Sequence, residues 1–139
     1  MQGYSGMSGV RSFTELDCWQ LSNEVKLGVY SLIKDGPAAR DFDFRDQIRD
    51  AAASAPRNIA EAFGRYEPAE IRQYLRVAAG SLMETSNHLR DGVDRGYFRD
   101  ADITPLLTLA QRASAATAGW IRYLKTAKAP RGRPWNPRT

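Results

Sequence analysis

A single cysteine and a single histidine in 139 residues leave little material for the commoner kinds of site chemistry. Cys18 has no second cysteine with which to close an intrachain disulfide, and its place on an apolar helical stripe reads as a buried thiol. A Ser/His/Asp or Cys/His catalytic set would have to recruit His88, and no nucleophile elbow, phosphate-binding glycine loop or paired-cysteine motif accompanies it. Ferritin-like di-metal bundles need Glu-x-x-His pairs with further glutamates on facing helices. Here Glu84 and His88 are spaced by four, with Asp91 three residues on. No metal, no cofactor and no enzymatic reaction is therefore expected. Long apolar runs are missing too. Stretches such as Ala51 to Ala53, Val77 to Ala79, or Leu106 with Leu107 fall far short of the roughly 18 to 20 residues of a membrane span, so no membrane association is expected. Met1 to Val10 are rich in Gly and Ser without an apolar h-region. That is not a secretory signal, and a cytoplasmic location is the expectation.

Charge of one sign is absent from the body of the chain. All sixteen acidic residues and sixteen of the twenty Lys+Arg lie between Ser12 and Lys128. The net charge of +4 thus belongs to Arg11, Arg131, Arg133 and Arg138. A pI near 9.5 does not make the body a basic surface, and an electrostatic argument about anionic partners has to begin at the C-terminus.

Nothing in the chain alternates with the period of a strand, whereas four stretches repeat their apolar residues at about 100° per residue. The first runs from about Thr14 to Lys34, with Cys18, Leu21, Val25, Val29 and Leu32 on one stripe, and Asp35, Gly36 and Pro37 stop it. The second, about Asp43 to Arg65, aligns Phe44, Ile48, Ala51, Ala55, Ile59 and Ala62, and its small alanines permit close helix contact. The third begins near Pro68 and aligns Ile71, Leu75, Ala78, Leu82, Leu89 and Val93, with Gly96 closing its exit. The fourth, about Asp102 to Ala127, aligns Ile103, Leu107, Ala110, Thr117, Ile121 and Leu124, with Thr104 as a cap and Pro105 in the first turn. Four helices of this length on short connections predict an all-α, up-down-up-down antiparallel four-helix bundle. The expected organisation is a flexible N-terminal tail over 1–12, the bundle over 13–128 and a flexible, basic Pro/Arg-rich tail over 129–139.

Two segments carry more than a core stripe. On the first, Leu16, Trp19, Leu27 and Tyr30 form a second apolar stripe almost opposite the first. Either this stripe contacts another copy of the chain, which is the favoured reading, or the tails or the loop Asp35 to Phe42 fold over Trp19. On the second, Pro56 is expected to kink the helix or divide it in two, because it leaves the Ala52 carbonyl without its helical donor. A polar stripe of Gln47, Ser54, Asn58, Glu61 and Arg65 runs beside it. That stripe reads as a structural seam toward the third helix, with Glu84 as the partner of an arginine such as Arg49 or Arg65.

The run Gln47 to Arg65 (QIRDAAASAPRNIAEAFGR), together with Leu16 to Gln20 and Tyr74 to Glu84 (YLRVAAGSLME), resembles the signature of bacterial four-helix bundle proteins first noticed in intervening sequences of large-subunit rRNA genes. The resemblance covers roughly residues 13 to 127. It implies a ring-like homopentamer and a relationship to the accessory variability protein of diversity-generating retroelements, and it implies no known reaction. In that branch the implied partners are nucleic acid, DNA or RNA, and a reverse transcriptase or another protein. The chain departs from the common pattern at Asp50, Arg57 and Ala62.

Pro130-Arg131-Gly132-Arg133-Pro134 looks like the core of an AT-hook. A narrow A·T minor groove concentrates negative potential and attracts arginines, while glycine lets the backbone approach the groove floor. Arg131, Gly132, Arg133 and Arg138 are the candidate nucleic-acid contacts, multiplied by avidity in an oligomer. The competing reading is compositional. Arginine outnumbers lysine sixteen to four, as codon bias in a GC-rich genome produces, and Trp135 and Asn136 stand where a hook has further basic residues. The expected function is a non-catalytic oligomeric adaptor that binds nucleic acid or a nucleoprotein complex. The alternative is a protein-interaction scaffold.

Overall fold

The computed structural model describes residues 9–126, so the expectations placed on 1–8 and on the tail, including Arg131, Gly132, Arg133 and Arg138, lie outside the described residues. A short 3-10 turn (Phe13–Glu15), capped by the Ser12 hydroxyl, leads into α1 (Asp17–Ile33). A five-residue helix, α2 (Gly36–Arg40), precedes α3 (Phe42–Phe63), α4 (Pro68–Asp94) and α5 (Asp100–Thr126). No strand occurs among the described residues.

The four long helices pack in a cycle: α1 on α3, α3 on α4, α4 on α5, and α5 back on α1. Two apolar clusters show that neighbours run antiparallel. One joins Ile33 at the end of α1, Phe44 and Ile48 at the start of α3, Leu89 late in α4 and Ile103 early in α5. The other joins Leu16 and Cys18, Ile59 and Phe63, Ile71 and Leu75, and Trp120 and Leu124. Every chain direction alternates between these two ends, which is the up-down-up-down bundle read from the periodicity. Between the ends lies a third, small cluster of Ala55, Leu82 and Ala113 with Leu21 against it. Each fully buried Leu, Ile or Val stabilises the fold by roughly 1.5–3 kcal/mol relative to its exposed state.

Several local expectations are corrected. Pro56 neither divides α3 nor ends it: the helix is continuous across it, and the ring is buried. One lost N–H is a single missing bond among many, and burial of the ring against the neighbouring helices offsets it. Thr104 is not the cap of the last helix. That helix starts at Asp100, with Pro105 inside it, and the Thr104 hydroxyl donates back to the Asp100 carbonyl (2.8 Å). The start is held by Asp102, whose carboxylate accepts the Arg99 backbone N–H (3.0 Å). In the core stripes, Leu106 and Trp120 are buried while Leu107 and Ile121 only pack at the margin, and Ile33 takes the place given to Leu32. Gly96 does close α4: it sits at φ +79°, and Tyr97 N–H reaches back to the Gly92 carbonyl (2.8 Å). That turn delivers Phe98 into the core beside Phe44 (5.8 Å).

Candidate interaction surfaces

The second apolar stripe of α1 does not survive as one surface. Leu16 is 2% exposed and belongs to the chain's own core. Its offset comes from the backbone: Leu16 is extended (φ −76°, ψ 132°) and precedes the helix, so helical periodicity does not govern its direction. Trp19 is half-buried, with the Phe13 ring edge-on against it (5.4 Å, 62°). The loop Asp35 to Phe42 is not what covers Trp19. It lies at the opposite end of the bundle, where Ala38 of α2 enters the core beside Val29, Ile33 and Phe44. What remains outward on α1 is Leu27, 54% exposed, and Tyr30, 37% exposed.

Tyr30 borders a groove of 270 Å³ where the end of α1 and α2 meet α3, lined also by Ile33, Lys34, Ala39, Arg45 and Arg49. Lys26 Nζ stands 5.8 Å from the Tyr30 ring centre and the Arg45 guanidinium 4.8 Å from that of Phe42. Arg45 also donates to the Ala39 carbonyl (3.3 Å), tying α2 to α3. Arg45 and Arg49 share the Asp46 carboxylate (3.1 and 3.0 Å), and Arg49 also lies 4.0 Å from Asp50. The groove is therefore richer in cations than in acids, with two exposed rings at its edge. The sequence signal for it is the spacing of Phe42, Arg45 and Arg49, three and then four apart on one side of a helix.

Two members of the polar stripe of α3, Ser54 and Arg65, bond to α4. Ser81 hydroxyl hydrogen-bonds Ser54 hydroxyl (2.7 Å), and the Asn58 amide donates to the Ser54 carbonyl and hydroxyl (2.8 and 3.0 Å). Arg65 donates to Glu61 (2.7 Å) and to the Tyr74 hydroxyl (3.0 Å), with its guanidinium 4.9 Å from the Tyr74 ring centre. The Glu61 carboxylate pushes the Arg65 pKa further up, first through this hydrogen bond. Glu84 is not the partner of either arginine. Arg49 is held by Asp46 within its own helix, and Glu84 lies 3.8 Å from His88 one turn along α4. Gln47 is exposed at the margin of the stripe. His88 packs edge-on to Phe44 (6.4 Å, 90°), while Asp91 is taken by Arg95 (2.7 Å). Glu84 and His88 lie beside each other while Asp91 is taken by Arg95, and no group of three His, Cys, Asp or Glu is gathered for an ion among the described residues. Burial pushes the Cys18 thiol up to about 11. Among the described residues no helix is long and apolar enough to cross a membrane.

These surfaces are all side-chain arrangements on the outside of a filled four-helix bundle, the class of protein that the fold defines. The sequence model for the 23S rRNA-intervening sequence protein matches residues 14–119. The chain belongs to that family. No curated protein matches it. The matched span contains all three segments that carried the resemblance, and of the three departures Asp50 and Arg57 are exposed while Ala62 is buried.

Proposed function

We propose that the chain is a non-catalytic, homo-oligomeric adaptor, pentameric as the family resemblance implies, that engages nucleic acid or a nucleoprotein complex. The observation that carries this reading is the outer side of α1, where Leu27 and Tyr30 stand exposed beside the groove of Lys34, Arg45 and Arg49. Exposed apolar side chains rimmed by cations suit an interface, and the apolar part serves a second copy. Nucleic acid is assigned to the tail, through Arg131, Arg133 and Arg138, with the copies in one ring adding avidity.

Sedimentation measurements on the whole chain should give an oligomer, and Leu27→Glu with Tyr30→Glu should shift it to protomers. Titration with A·T-rich duplex, G·C-rich duplex and structured RNA should show binding that weakens steeply with salt. Changing both Arg131 and Arg133 to Ala should reduce the log–log salt slope by about two, roughly one per lost phosphate contact. Unchanged affinity in that variant would remove the tail from the function. A second reading, a scaffold for another protein, is favoured by Met83, 76% exposed, and the exposed Val77 on α4. It prevails if the oligomer forms and none of the three nucleic acids binds.

A further inference from the structure

Away from the α1 surface, a cavity of about 540 Å³ opens where the segment before α1 crosses the end of α3. Its lining includes Arg11, Phe13, Ala60, Phe63, Gly64 and Arg65, and Glu61 stands beside Arg65. The volume falls in the range of small-molecule sites, roughly 300–1,000 Å³. Three features give it a chemical preference. First, two arginines and one glutamate line it. Glu61 is engaged by Arg65 (2.7 Å), and Arg11 has no ion-pair partner among the described residues, so the cavity carries an uncompensated positive charge. Second, Phe13, half-buried at the wall, is fixed by its edge contact with Trp19, while Phe63 is buried in the core cluster. Third, Arg65 is held in place before any ligand arrives, because Glu61 and the Tyr74 hydroxyl both accept from it. A pre-organised cation costs less to engage than a free one.

We infer that this cavity takes one nucleotide unit, a planar base against Phe13 with its phosphate toward Arg11 and Arg65. The unit is supplied by a single strand of nucleic acid. Aromatic walls accept the face of any base, and guanidinium groups match phosphate geometry. The source of the unit rests on the nucleic-acid reading above, whereas the cavity's chemistry does not. The proposed contact uses neither Arg131, Arg133 and Arg138 nor Leu27 and Tyr30.

Gly64 gives a clean test. Its backbone is ordinary (φ −84°, ψ 0°), and a Cβ built there meets nothing closer than the Glu61 carbonyl at 3.6 Å. Gly64→Leu is therefore compatible with the fold and puts its side chain into the cavity. The probes are a labelled single-stranded oligoadenylate and adenosine monophosphate, each titrated against the whole chain with its C-terminal arginines intact. Gly64→Leu and, independently, Phe13→Ala should each weaken oligonucleotide binding by about tenfold, the size of one lost stacked base, while circular dichroism stays unchanged. Oligonucleotide affinity unchanged in both variants, but lost when Arg131 and Arg133 become Ala, overturns the cavity assignment and leaves the adaptor function standing. Sensitivity of the monophosphate to Gly64→Leu with no oligonucleotide binding by the unaltered chain supports the cavity's chemistry and overturns the nucleic-acid function. Binding of neither probe overturns the inference.

Discussion

Asp41 does two jobs with one carboxylate. One oxygen caps α3 by accepting the Phe44 N–H (3.3 Å), and the other takes the Tyr97 hydroxyl (2.5 Å) and Arg95 (3.1 Å). The Tyr97 hydrogen bond, followed by the capped N–H, holds the Asp41 pKa below the usual carboxylate value, and the same Tyr97 bond pushes the phenol pKa up. A depressed acid contributes stability that is complete above its unfolded pKa and fades as the pH falls through the folded one. Asp41→Asn keeps a capping oxygen and removes the charge. Its melting temperature should lie below that of the unaltered chain at neutral pH, and the gap should close as the pH drops below about 4. Coincident melting curves at neutral pH would show that the charge adds nothing. At the same scale, Cys18 is buried with a thiol pKa of about 11, so it stays protonated at neutral pH. A thiol reagent should leave the folded chain unlabelled and label one site per chain in denaturant.

At the scale of the helix, two glycines of α4 make opposite demands. A Cβ on Gly92 would stand 2.4 Å from the Phe98 ring and 3.0 Å from Phe44, both in the core, while at Gly80 it would meet nothing within 4 Å. Gly92→Ala should lower stability by about 1–3 kcal/mol through overpacking. Gly80→Ala should raise it by about 0.5–1 kcal/mol through helix propensity alone. Urea denaturation of the two variants checks both signs. Helices were what the sequence showed best, because Ile48, Ala55 and Ile59 or Leu75, Ala78 and Leu82 repeat at a period that only a helix can bury on one side. The failures came where position depends on the chain outside a helix. Leu16 turns inward from an extended residue, Ala38 enters the core from a five-residue helix hidden in an apparent loop, and Phe98 arrives by a tight turn. Charge alone suggests a partner for Glu84 across helices, whereas Glu84 and Arg49 each have a partner within their own helix. The outward surface was half legible: Leu27 and Tyr30 stand where helical spacing put them, whereas the cation-rich groove needed α2 and α3 to be brought together.

Taken whole, the molecule pairs a body of balanced charge with three arginines in the segment after it. Removing residues 129–139 takes away three arginines and no residue of the five helices. The shortened chain should keep its helical circular dichroism and melting temperature while losing most of its salt-dependent attraction to nucleic acid. An equal loss of melting temperature would mean that the tail is part of the folded unit. The thin layer of Ala55, Leu82 and Ala113 between the two larger apolar clusters has a consequence of its own. The side chains that span the middle are mostly small or polar, such as Ser22, Thr85 and Thr117, so a disturbance at one pole is expected to couple weakly to the other. Ile48→Val and Ile71→Val, drawn from opposite poles, should therefore sum within about 0.5 kcal/mol when combined. A protein wired in this way can have its Tyr30 pole retuned for a new neighbour without loosening the pole where Phe13 and Arg65 sit.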